Sequence, residues 1–107
     1  MKSFDEREKS QEAKFAFDRE IAFKIAARRN KRLGLWLAER LGLPDAAAAA
    51  LAAEVVAAGL AGGDDAALSG RIQALIEPLG AAVPEAELRR QMAGLLESVR
   101  AEFSGPA

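Results

Sequence analysis

Residues 4–43 read FDEREKSQEAKFAFDREIAFKIAARRNKRLGLWLAERLGL, and this stretch decides the fold. It holds Phe4, Phe15, Phe17, Phe23 and Trp36, every aromatic residue of the chain except Phe103. No proline interrupts it. Wound as one helix at about 100° per residue, it gathers Phe4, Phe15, Ala22, Ile25, Ala26, Leu33, Trp36 and Leu37 into one sector. Phe17, Ile21 and Leu35 form a second strip beside it. Between Phe4 and Phe15 the sector offers only Glu8 and Gln11, so the first turns have little to bury. The second half is expected to be anchored in a core and the first half to reach outward.

Breakers divide the rest. Gly42 suits a left-handed helix stop and Pro44 forbids continuation, which ends the first helix near Leu41. A second helix starts near Pro44 and runs through the alanine stretch, with Leu51, Val55 and Val56 facing inward, to Gly59–Gly63. Asp64 or Asp65 caps a third, whose Leu68, Ile72, Leu75, Ile76 and Leu79 follow helical spacing. Pro78 kinks or stops it. A fourth opens at Pro84 with Glu85 and Glu87 at its positive end, and its stripe is Leu88, Met92, Leu95, Leu96, Val99 and Phe103. No stretch alternates like a strand. The expected fold is therefore all-α, a four-helix bundle over residues 19–103. A mobile leader over residues 1–18 precedes it and a frayed tail over residues 104–107 follows. Trp36 is the expected centre of the core, and its truncation would cost about 3–5 kcal/mol if fully buried.

Charge is distributed unevenly. Residues 21–40 set Lys24, Arg28, Arg29, Lys31, Arg32 and Arg40 against Glu39 alone, a balance of 6 − 1 = +5. Residues 41–107 carry four basic and nine acidic residues, 4 − 9 = −5, within a chain of net charge −1. Such asymmetry suits a surface that meets another macromolecule. With no histidine and no cysteine, the commonest general base, thiol nucleophiles and disulfides are absent. Gly59, Gly62 and Gly63 lack the Lys-Ser/Thr of a phosphate loop. Asp64 and Asp65 are the only adjacent loop carboxylates, and helix capping explains them better than a metal would. An enzyme is not expected, and no cofactor or metal is called for. The N-terminus has no apolar signal region, and the polar-free run of residues 46–53 is far too short to cross a bilayer. A cytoplasmic location follows as the expectation.

Binding is what remains. The run Arg28-Arg29-Asn30-Lys31-Arg32 would grip phosphates, so a small nucleic-acid-binding protein is the alternative to a protein-binding one. The protein-binding reading, or a simple solvated cationic face, is preferred, because no stacking aromatics interleave with the run. A membrane-surface helix is weaker still, since Trp36 and its leucine neighbours are needed inside.

A family resemblance is carried by residues in order: Phe4-Asp5-Glu6-Arg7-Glu8, Glu12-Ala13-Lys14-Phe15-Ala16, Phe23-Lys24, Ala27-Arg28-Arg29-Asn30-Lys31, Leu33-Gly34-Leu35-Trp36 and Leu41-Gly42-Leu43. Together they closely resemble the ATPase inhibitor zeta subunit of alphaproteobacterial F-type ATP synthases. Beyond residue 43 the likeness is looser, carried by Glu54-Val55-Val56, Arg71-Ile72 and Leu88-Arg89-Arg90-Gln91-Met92. Phe17 and Arg19 depart from it, standing where relatives usually have histidine and an acidic residue.

The resemblance implies a four-helix protein whose N-terminal segment, here residues 4–18, inserts between an alpha and a beta subunit of the F1 head. There, close to the gamma stalk, it blocks rotation in the hydrolysis direction. The implied location is cytoplasmic, peripheral to the inner membrane through the ATP synthase. Some relatives bind nucleotide on the bundle, and no residue of this chain is assigned to that. On this basis Phe4, Asp5, Arg7, Glu8, Glu12, Lys14, Phe15 and Phe17 are the expected partner-binding residues of the leader. Arg28, Arg29 and Lys31 are those of the basic body. Phe4 and Phe15 would anchor in an apolar groove while the charges set register.

Overall fold

A computed structural model describes the backbone of residues 4–105 and the side chains of residues 12–14 and 16–105. The described residues form four α-helices, α1 (Phe4–Arg40), α2 (Asp45–Leu60), α3 (Asp65–Ile76) and α4 (Glu85–Ser104), with one 3-10 turn, Glu77–Leu79, after α3. Among the described residues there is no strand. The all-α expectation holds, and each break falls at a residue whose chemistry demands it.

α1 is continuous over 37 residues. It ends in a Schellman motif: Gly42 takes φ 69°, Gly42 N–H donates to the Glu39 carbonyl at 3.1 Å and Leu43 N–H to Ala38 at 2.9 Å. Pro44 then turns the chain into α2. The Asp64 carboxylate accepts from Ala67 N–H at 2.9 Å and caps α3. Pro78 falls in the 3-10 turn, and left-handed Gly80 (φ 70°) closes it. Arg71 donates to the carbonyls of Ala58 and Gly62, satisfying the frayed end of α2 with a cation where the helix dipole favours one.

The core lies where the four helices meet. Leu33, Leu37, Val55, Ile72, Ile76, Leu88, Met92 and Val99 are fully buried, so all four helices contribute to it. Short loops connect the helices: α2 and α4 pack against α1, and α3 packs against α2 and α4. α1 and α2 come closest at Gly34, where an added Cβ would stand 2.5 Å from Ala52 Cα. The absence of a side chain there lets the backbones touch.

Three expectations need correction. Trp36 does not fill the centre: it packs against the core from the side and is only partly buried, because Leu33 and Leu37, on the turns around it, face the axis directly. Leu79 is 54% exposed, since the helix has given way to the 3-10 turn and its stripe no longer faces inward. Ser104 is helical, its hydroxyl donating to the Arg100 carbonyl at 3.0 Å, so α4 runs one residue past the expected boundary.

Candidate partner-binding surface

α1 has two unlike halves. At 1.5 Å per residue it is about 55 Å long, within a molecule of 65 × 29 × 27 Å. Every described side chain from Glu12 to Glu20 is exposed, Phe17 at 61%. Ile21 and Ile25 are half-buried, and among the described residues the first buried one is Arg29. Glu12, Lys14 and Phe17 thus stand on a helix stem outside the bundle. The side chains of Phe4, Asp5, Arg7, Glu8 and Phe15 lie outside the described residues.

The cationic half is mostly spent inside the molecule. Arg29 is 6% exposed. Its Nε donates to Asn30 Oδ1 at 2.7 Å, its Nη1 to the Met92 carbonyl at 3.2 Å and its Nη2 to Asp65 Oδ1 at 2.8 Å. Arg29, expected among the partner contacts, is instead turned into the bundle, where it joins α1, α3 and α4. Arg32 makes a two-pronged pair with Glu102, and Arg28 lies 3.7 Å from the same carboxylate and 4.6 Å over the Phe103 ring. Arg40 forks onto Glu87 at 2.9 and 3.3 Å. These arginines hold the Asp65, Glu102 and Glu87 carboxyls below the usual range, first by hydrogen bonding and then by charge.

The +5 segment and the acidic C-terminal half are thus complementary faces of one bundle. The charge asymmetry that suggested an external partner is largely a fold-internal match. Lys31 is the exception: it is exposed and makes no ion pair among the described residues. A phosphate backbone would find few free cations here. Asp64 and Asp65 are occupied as a cap and as the Arg29 partner, and among the described residues no cluster of three potential metal ligands exists.

The family is decided by direct comparison. The model of the family ATPase inhibitor subunit zeta matches residues 1–102. The chain belongs to the ATPase inhibitor subunit zeta family. No curated protein matches it significantly.

Among the described residues no helix is long and apolar enough to cross a membrane. Large apolar side chains are also exposed along the recesses between α1 and α2. Phe23 is 58% exposed, Leu35 42% and Leu60 62%, all on the α1–α2 side. α2 is nearly uncharged, with Asp45 and Glu54 alone in 16 residues. That missing charge was the signal in the sequence, since the outward face of a solvated helix normally carries several.

Proposed function

We propose that this protein inhibits ATP hydrolysis by the F1 head of its ATP synthase by inserting the first half of α1 between an alpha and a beta subunit near the gamma stalk. The observation that carries this is the division of α1. One unbroken helix has its second half built into the bundle, while every described side chain from Glu12 to Glu20 is exposed. Insertion of such a segment obstructs the closing of the subunit interface that rotation in the hydrolysis direction requires. The bundle serves as the handle, sitting at the outside of the head. Because no glycine or proline falls before Gly34, force on the leader passes along a continuous hydrogen-bonded rod into the body.

Within the leader, Phe4, Phe15 and Phe17 are the apolar anchors, and Asp5, Arg7, Glu8, Glu12 and Lys14 fix register and speed the encounter. A preformed helix lowers the ordering cost of about 1–2 kcal/mol per residue that docking an unstructured segment would incur. Of the body residues, Arg28 and Lys31 remain available to touch the head. The protein would reside in the cytoplasm, held at the inner membrane through the synthase.

Hydrolysis by purified F1 with full-length protein, and with a variant lacking residues 1–18, tests this. Full-length protein slows hydrolysis. The shortened protein keeps a cooperative melt and does not inhibit. Undiminished inhibition by the shortened protein would remove the leader from the mechanism.

A further inference from the structure

The α1–α2 side of the bundle carries a groove that the leader mechanism does not use. Ala27, Leu35 and Val56 line a depression of about 550 Å³, with Arg28, Lys31 and Arg32 along one edge. It continues over Ala49 and Ala53 in one direction and toward Phe23 and Leu60 in the other, Val56 being common to all three parts. The exposed positions of α2 are Asp45, Ala46, Ala49, Ala50, Ala53, Glu54, Ala57 and Leu60, and beyond its first residue Glu54 is the one charge among them.

We propose that this groove receives an acidic amphipathic helix of the ATP synthase head, giving the body its own anchor beside the leader. The proposal rests on the inhibitor reading above. Alanines along α2 let a third helix approach to the roughly 8–10 Å of ordinary helix packing. The recesses between α1 and α2 take its apolar side chains at one-turn spacing. Charge selects the partner. Of the three cations on this edge, Arg28 and Arg32 share Glu102 and Lys31 makes no ion pair among the described residues, so the incoming helix carries Asp or Glu along the flank that meets Lys31. A second copy of this chain fits poorly, because a two-fold contact through this patch would bring the same cationic edge into both halves of the interface.

The test uses the full chain and purified F1. Ala53→Glu puts an anion on the exposed apolar floor, and Lys31→Glu reverses the rim; both positions are exposed, so melts stay unchanged. Each variant is expected to raise the concentration for half-maximal inhibition about tenfold. A photo-crosslinker at position 53 is expected to label an acidic helix of an F1 subunit. Wild-type inhibition by Ala53→Glu, or labelling of only a second copy, overturns the proposal. If Ala53→Glu inhibits normally while Phe17→Glu does not, the groove falls and the leader mechanism stands. If the unmodified chain neither binds nor inhibits F1, both fall.

Discussion

Arg29 and Asp65, 36 positions apart, meet at 2.8 Å through a guanidinium that is 7% exposed. The pair locks the stem of α1 to the first turn of α3, and the same guanidinium reaches the Met92 carbonyl of α4. Removing one partner of such a pair leaves buried polar groups unsatisfied. Arg29→Ala should lower stability by about 3 kcal/mol, and Arg29→Lys should not restore it, because an ammonium cannot fork to three acceptors. Asp65→Asn should cost less, about 1 kcal/mol, since its carboxylate is 37% exposed. Urea midpoints of the single and double variants would measure the coupling.

Acid sensitivity follows from the same arginines. Asp65, Glu87 and Glu102 have folded-state values depressed by Arg29, Arg40 and Arg32 respectively. A depressed carboxyl contributes stability that is present above its unfolded value and is lost as pH falls through the folded one. With no histidine in the chain, the melting temperature should be level from about pH 8 to 5 and decline below about pH 4. Thermal melts across that range check it; a step between pH 6 and 7 would contradict it.

Glycine substitutions should split in sign. Gly34→Ala would press a methyl onto the Ala52 backbone, and the helices must part. A loss of about 1–3 kcal/mol is expected despite alanine's better helix propensity. Gly70 in α3 and Gly94 in α4 have nothing within 4 Å of an added Cβ. Gly70→Ala and Gly94→Ala should each gain about 0.5–1 kcal/mol. Denaturant midpoints for the three variants would show the split directly.

The core ranking is also open to measurement. Leu37 is fully buried and Trp36 is not. Leu37→Ala should cost about 3 kcal/mol, and Trp36→Ala less than the 3–5 kcal/mol of a fully buried tryptophan. A Trp36→Ala loss well above that of Leu37→Ala would restore Trp36 to the centre.

Helix boundaries were legible because each is set locally. Gly42, Pro44, Asp64, Gly80 and Pro84 act through φ, a missing N–H or a cap, all within a few residues. The inward stripes of α3 and α4 were legible for the same reason, until Pro78 changed the helical period and turned Leu79 outward. The candidate surface was less so. Phe17 was expected among the partner contacts and does stand exposed on the stem, yet Arg28, Arg29, Lys31 and Arg32 looked alike in one run. Which of them faces Asp65, Glu102 or solvent depends on helices 36 to 70 positions away.

The linear order of residues was sufficient for the all-α class, the four segments, the absence of histidine and cysteine and the likeness to zeta subunits, since these rest on composition, short-range pattern and motif. The fate of the basic run, the close approach at Gly34 and the bare α1–α2 groove were decided only by packing. Each depends on pairs distant in the chain, whose charges and volumes acquire neighbours only once the helices have closed on one another.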